Sequence, residues 1–218
     1  MLDIGGNIGV FPSYIWRYGY SVLSFEPSPI NYYISTKNFC NLKGKSNVIL
    51  INKGLSTEEK TCDYYSNIGN NGNGIILCNA IYNFKVKSKF IKMGNVTLSR
   101  LSRFIPYLSN KNIAVIKIDI EGGEGKALES GIELINKYHV PFIALEFSPL
   151  YLLEHGTAPK ELLHLLISNG YKISKNGFFS KNYLDINRIM KLYKKQKMLY
   201  FIHYEMLEWQ IINKIIYF

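Results

Sequence analysis

The sequence predicts an α/β fold, a mostly parallel sheet covered by helices on both faces, from three observations. Short apolar runs alternate with helical patterns along most of the 218 residues, which is the rhythm of strand–helix–strand units. A glycine-rich turn, DIGGNIG (Asp3–Gly9), stands between a strand and a helix. Acidic residues fall at the carboxyl ends of successive strands, on the edge where such sheets bind ligands.

Each element follows from local pattern. Leu2–Ile4 is a short apolar strand, Val10–Tyr18 a helix, and Ser21–Phe25 a second strand. Pro29 suits the first turn of a helix that runs to about Leu42. Val48–Ile51 carries the β-branched weight of a third strand. From about Glu58 to Phe90 the rhythm breaks. SNIGNNGNG (Ser66–Gly74) has the composition of a loop, and Thr61–Tyr65 and Phe84–Ile91 suggest antiparallel strands of an irregular insertion. TLSRLSRF predicts a short helix that Thr97 caps. Ala114–Ile118, Phe142–Phe147, Tyr171–Ser174 and Met198–His203 are strands; Glu124–Tyr138, Pro159–Asn169 and Leu184–Lys195 are helices. Met206, Trp209, Ile212 and Ile216 recur at helical spacing in a tail helix over 205–218. The whole is expected to form a single domain over residues 1–218.

Composition narrows the function classes. Apolar and aromatic residues make up 47% of the chain and charged residues 19%, a globular balance. No apolar run is long enough to span a bilayer, and the start lacks the pattern of a signal peptide. The three cysteines, Cys40, Cys62 and Cys78, are odd in number and lack a CxxC pair. That argues against a disulfide framework and against zinc, and favours a reducing, cytoplasmic setting. The net charge of +10 fits a polyanionic partner. Lys, Asn, Ile and Tyr are abundant together, however, as A/T-rich coding produces, and nucleic-acid motifs are absent. Nucleic acid is therefore not the expected partner.

The chemistry lies in four stretches. In DIGGNIG the glycines permit close backbone approach, and the helix that follows offers unpaired N–H groups; the spacing Gly5, Gly6, Gly9 is not that of GxGxxG. Glu26, after the second strand, stands where an acid accepts both ribose hydroxyls of an adenosine. Asp119 and Glu121 follow the fourth strand in VIKIDIEGGE, while Glu124 suits the positive end of the next helix. Glu146 ends the fifth strand on the same edge. His155, in EHGT, lies in the expected Phe147–Pro159 loop, where it is either solvated or part of an acceptor site. Asp119, Glu121 and Glu146 form an oxygen set that a hard cation would accept, but no histidine or ligand spacing supports a metal.

DIGGNIGVF, FEPSPINY, TLSRL, IKIDIEGGE and ALEFSP resemble, in order, the blocks of the FkbM family of S-adenosylmethionine-dependent methyltransferases, and NGYKI and LYFIH resemble its closing strands. The resemblance implies a class I methyltransferase fold, Rossmann-like, with a seven-stranded sheet of order 3-2-1-4-5-7-6 and its last strand antiparallel. It implies S-adenosyl-L-methionine as cofactor and O-methylation of a hydroxyl on a sugar, glycan or small metabolite. Asp3, Gly5, Asn7 and Gly9 match the motif for the methionine portion. Glu26, with Pro27 beside it, matches the ribose-binding acid, and Asp119, Glu121 and Glu124 match the block beside the methyl group. Ser99 stands where the family often carries Asp, and the family's usual stretch before the first strand has no counterpart here.

Methyl transfer to an alcohol is an in-line displacement that needs positioning and a proton acceptor. Asp119 or Glu121 is the expected base or acceptor-orienting group, and Glu146 the next candidate. Two alternatives stay open. One is a non-catalytic or amino-terminally truncated module of the same fold; the other is a nicotinamide-dependent oxidoreductase, against which the missing GxGxxG speaks. The acceptor and the oligomeric state are not legible.

Overall fold

The computed structural model describes residues 1–40, 47–67, 70–78, 90–108, 111–180, 182–193, 195 and 197–206. The first half of the main sheet comes from β1 (Leu2–Ile4), α1 (Val10–Arg17), β2 (Val22–Phe25), α2 (Pro29–Cys40) and β3 (Val48–Ile51). An inserted sheet follows: β4 (Gly54–Leu55), β5 (Lys60–Asn67), β6 (Asn70–Leu77) and β7 (Phe90–Ser99), then a 3-10 helix over Leu101–Leu108. The second half comprises β8 (Val115–Ile118), α3 (Glu124–Lys137), β9 (Phe142–Phe147), α4 (Pro149–Glu154), α5 (Pro159–Ser168), β10 (Tyr171–Ser174), β11 (Tyr183–Leu184), α6 (Ile186–Leu192) and β12 (Lys197–His203).

The main sheet has eight strands in the order β11-β10-β12-β9-β8-β1-β2-β3. It is mixed: β3, β2, β1, β8 and β9 run parallel, while β12 is antiparallel to both β9 and β10, and β11 is antiparallel to β10. The expected count of seven is thus corrected to eight. The added edge strand, Tyr183–Leu184, was hidden because two residues carry no readable alternation. Every residue of β1 and β2 is buried, as befits central strands covered on both faces. Ile116, Ile118, Ile143 and Leu145 form the middle of the core with Leu128 and Leu134 of α3 and Leu162 and Leu166 of α5.

The insertion is more regular than its composition suggests. It forms a four-stranded sheet of order β4-β7-β5-β6, and of the expected loop SNIGNNGNG, residues 66–67 belong to β5 and 70–74 to β6. Glycine serves here by its lack of a side chain, since a Cβ on Gly74 would lie 2.1 Å from the Tyr64 hydroxyl oxygen. Thr97 lies inside β7 and caps nothing; the helix that follows it is 3-10. The expected strand Phe84–Ile91 falls mostly outside the described residues, as does the tail helix beyond Met206. The stretch between Phe147 and Pro159 holds a helix, α4, instead of a plain loop.

The argument against a disulfide is overturned, because Cys62 and Cys78 are bonded, with Cα atoms 4.4 Å apart. Asp63 pairs with Leu77 across β5 and β6, so the next rung outward brings Cys62 opposite Cys78. Only strand pairing discloses that proximity. Cys40 is free and exposed.

Phe104 joins the 3-10 helix to the sheet by meeting Phe25 edge-on, with ring centroids 4.8 Å apart. Removing a buried ring of this kind costs about 3–5 kcal/mol. Phe104→Ala is therefore expected to lower the thermal midpoint by several degrees or more, as calorimetry would measure. An unchanged midpoint would show that the 3-10 helix does not contribute to the core.

Candidate active site

A cavity of about 580 Å³ opens at the carboxyl ends of the parallel strands. Its floor is the glycine turn. The N–H groups of Gly5 and Gly6 both donate to the Phe25 carbonyl, at 3.0 and 2.9 Å, and Asp119 N–H donates to Ile4 at 3.0 Å. The turn is thereby fastened between β2 and β8. Gly5 has φ +90°, and a Cβ there would stand 1.9 Å from the Asp119 carbonyl oxygen, so no other residue fits. Asn7 also has positive φ, at 49°, a conformation that asparagine tolerates better than most residues.

Glu26 is bound into this turn. Its Oε2 accepts the Asn7 N–H and its Oε1 the Ser28 N–H, both at 2.8 Å. Burial raises its carboxyl above the ordinary glutamate value, and those two N–H bonds oppose the rise. Asn52 braces the same corner from below, donating to the Glu26 and Pro27 carbonyls at 2.8 and 3.1 Å. The inserted sheet supplies the facing wall with Tyr64, Ile76 and Cys78; Tyr64 is hydrogen-bonded to Ser28 and Ser66.

Beneath the turn runs a polar row that register creates. Lys117 of β8 lies beside Asp3 of β1, and Asp3 beside Ser24 of β2. Ser24 Oγ donates to Asp3 Oδ2 at 2.9 Å. Lys117 Nζ donates to the Gly5 carbonyl at 2.9 Å, and stands 3.5 Å from Asp3 Oδ1 and 3.6 Å from Asp119 Oδ2. Burial raises the Asp3 carboxyl, with Lys117 and Ser24 opposing.

The acidic residues take different places. Asp119, Glu121 and Glu146 line the cavity, as do Gly5, Asn7, Glu26 and Pro27. Asp3 and Gly9 do not reach it: Asp3 is wholly buried under the turn, and Gly9 abuts Ser35 and Phe39 of α2. Glu121 sits at φ 54°, and its carboxyl is raised by burial and then by the neighbouring Asp119 charge. Glu124 turns inward, where its Oε1 accepts the N–H groups of Ile120 and Gly122 at 3.0 and 3.2 Å. It shapes the turn that carries Asp119 and Glu121. Ser99 bonds Glu59 at 3.2 Å. His155, closing α4, lines the cavity against Gly122. Burial, with Lys126 adding to it, lowers His155 to about 4, so its imidazole is neutral at pH 7.

Sequence reasoning missed Lys117 and Lys126, both of which line the cavity. A signal for Lys117 existed, since a lysine inside the apolar run VIKI is costly to bury without a carboxylate partner. Lys126 had none. Among the described residues no group of His, Cys, Asp and Glu is placed to hold a metal ion, and no helix is long and apolar enough to cross a membrane.

A Rossmann-like sheet with a glycine turn, an acid after β2, carboxylates after β8 and one near the end of β9 defines a site for an adenosine-containing cofactor. The methyltransferase FkbM domain model matches residues 3–173, and the chain belongs to that family. The family uses S-adenosylmethionine, and the residues present fit it: Glu26 lines the cavity with both carboxylate oxygens held by backbone N–H groups, and the floor has no side chain at Gly5. No curated protein matches the chain. Among solved structures, an FkbM methyltransferase from Methylobacillus flagellatus KT is similar at 16% identity and a TM-score of 0.54, over 92% of this chain and 42% of that one. A protein of the NADB-Rossmann superfamily from Streptococcus agalactiae is similar at 18% identity and a TM-score of 0.47, over 93% and 60%. The magnesium protoporphyrin IX methyltransferase of Synechocystis PCC 6803, solved with bound S-adenosylmethionine, is similar at 10% identity and a TM-score of 0.44, over 93% and 68%. The chain thus spans about two-fifths of the first of these proteins, and at such identities the likeness is one of fold.

Glu124 generates a prediction of its own. Burial pushes its carboxyl from 4.5 up to about 7, against the N–H groups that favour the ionised form. The folded chain then holds a proton on Glu124 that the unfolded chain releases near pH 4.5. The associated stability is full below that pH and is lost as pH rises through 7. Urea unfolding of wild type and Glu124→Gln from pH 5 to 8 is expected to show the difference moving in the variant's favour as pH rises. A difference constant across that range would refute the assignment.

Proposed function

We propose that the chain is an S-adenosylmethionine-dependent O-methyltransferase acting on a hydroxyl of a sugar, glycan or small metabolite. The observation that carries the reading is the shared cavity, which the glycine turn, Glu26, Asp119, Glu121 and Glu146 line together. In this reading Glu26 accepts the ribose hydroxyls with the lone pairs that Asn7 and Ser28 leave unused. Gly5 and Asn7 border the methionine portion, while Asp3 and Gly9 act from behind by holding the turn in shape.

The bound cofactor supplies an electrophilic methyl group on a sulfonium. The chain's residues orient the acceptor oxygen in line with it and remove the hydroxyl proton as it attacks. Asp119 or Glu121 is the base or acceptor-orienting group by position. A raised carboxyl such as that of Glu121 is the better proton acceptor near neutrality, since the best base has a pKa close to the working pH. Glu146 and the neutral His155 imidazole lie on the same cavity and suit hydrogen bonds from further acceptor hydroxyls. Tyr64 gives the cavity an aromatic surface on which a sugar ring would pack.

Calorimetric titration with S-adenosylmethionine, with NAD as control, tests the cofactor. Micromolar binding of the first alone is expected, weakened about tenfold or more by Glu26→Ala, which deletes a charged acceptor. Binding of NAD instead would favour the oxidoreductase reading. A folded chain that binds neither ligand would favour a non-catalytic module. Asp119→Asn is expected to lower S-adenosylhomocysteine release with a hydroxyl acceptor by about 100-fold or more. Undiminished turnover in that variant would remove Asp119 from the role of base.

A further inference from the structure

Two helices on one face of the main sheet carry their apolar side chains outward. α2 buries Asn31 and Ser35 and turns Ile30, Tyr33 and Ile34 to solvent, with Tyr33 60% exposed. The one fully buried residue of α1 is Pro12, while Val10, Phe11, Tyr14 and the C-cap residue Tyr18 are at least half exposed. A surface helix ordinarily does the reverse and packs its apolar stripe on the core. Val10, Tyr14 and Tyr18 recur at every fourth position of α1, and Ile30, Tyr33, Ile34 and Lys37 have the i, i+3, i+4, i+7 spacing on α2. Each set therefore forms one stripe. The helices are neighbours, since Gly9 at the start of α1 abuts Ser35 and Phe39 of α2 and Asn38 Nδ2 donates to the Ile8 carbonyl at 2.8 Å. An exposed apolar cluster of this extent marks a binding surface.

Charge identifies what it binds. Neither helix carries an acidic side chain, and Glu26, the one acid between Ile4 and Thr57, is bound into the glycine turn. Arg17 follows Tyr14 on α1, and Lys37 holds its Nζ 5.2 Å from the centre of the Tyr33 ring. Among the described residues neither cation is in an ion pair. A second copy of the chain would set these cations against their like. Anionic headgroups complement them, and tyrosine rings suit the boundary between headgroup and acyl chain. We propose that the face made by α1 and α2 docks on an anionic lipid surface, lying on it without spanning it. Ile8, Val10 and Phe11 also line the cavity, so the docked surface adjoins the cavity mouth.

Flotation with vesicles tests this without any cofactor. Full-length chain is floated with phosphatidylcholine vesicles and with vesicles that contain about one-third phosphatidylserine. Binding to the anionic vesicles is expected to be about 25-fold tighter, roughly fivefold for each of Arg17 and Lys37. Arg17→Gln with Lys37→Gln is expected to remove most of that preference. Tyr14→Ser with Tyr33→Ser is expected to weaken binding to both kinds of vesicle about tenfold. Lys137→Gln with Lys160→Gln deletes the same charge from exposed positions of α3 and α5 and is expected to change little. Equal losses from the two charge pairs would show attraction by the net charge of +10 alone and overturn the proposal. Absence of flotation overturns it too. So does a dimer in sedimentation equilibrium that Tyr14→Ser with Tyr33→Ser dissociates, which would give the face to a second copy. Should a variant fail to fold, wild type decides through Cys40, which is free, exposed and on the stripe of Tyr33 and Lys37. An environment-sensitive fluorophore there is expected to shift its emission to the blue on anionic vesicles, and an unshifted emission would overturn the docking face.

Discussion

The site depends on one buried charge. Lys117 is planted in the apolar run of β8, and its stem carries the ammonium to the point where β1, β8 and the glycine turn converge. It holds the Gly5 carbonyl directly and balances Asp3 and Asp119 on either side. Removing one member of such a buried pair leaves an uncompensated charge and costs about 3–5 kcal/mol. The turn's shape, the pairing of two carboxylates and the register of two strands are therefore one constraint. A slip of one residue between β1 and β8 would turn Asp3 and Lys117 to opposite faces of the sheet.

The second constraint is the wall opposite. The main sheet supplies the floor and the carboxylates but leaves the cavity open above Glu26 and Pro27. The inserted sheet closes that side with Tyr64 and Ile76, and the Cys62–Cys78 bond ties its two strands together next to the cavity. Tyr64 then hydrogen-bonds Ser28, one residue from Pro27 and two from the acid that binds the turn. Glu26 thus answers to both sheets: the glycine turn fixes one carboxylate oxygen and the Ser28 corner the other.

Much of this was legible because strand–turn–helix chemistry is local. A stretch such as DIGGNIG must place its glycines where the backbone is crowded, and Asp119 and Glu146 must fall at strand ends, whatever the rest of the chain does. What escaped was whatever depended on partners far along the chain. Cys62 and Cys78 look unrelated until β5 and β6 pair. Lys117 looks like a stray charge until β1 lies beside it. The run SNIGNNGNG reads as a loop because its glycines favour turns, yet Gly74 is in a strand to make room for Tyr64. Asp3 and Gly9 matched the cofactor motif, but pattern alone did not separate residues that line the cavity from residues that hold its lining. Two-residue β11 and the 3-10 turn after β7 are too short for periodicity to reveal.

The bond from Lys117 to Gly5 spans 112 positions of the chain. Loop closure over such a span is entropically unfavourable and is among the later events of folding, because parallel strands cannot pair until the crossover between them has been placed. The cofactor floor therefore does not exist in any partly folded chain that has formed only its local helices and hairpins. Such a chain has no place for ligand, so ligand favours the finished molecule alone and draws the equilibrium toward it by mass action. Bound ligand would then raise the share of this polypeptide that stays folded and out of reach of proteases.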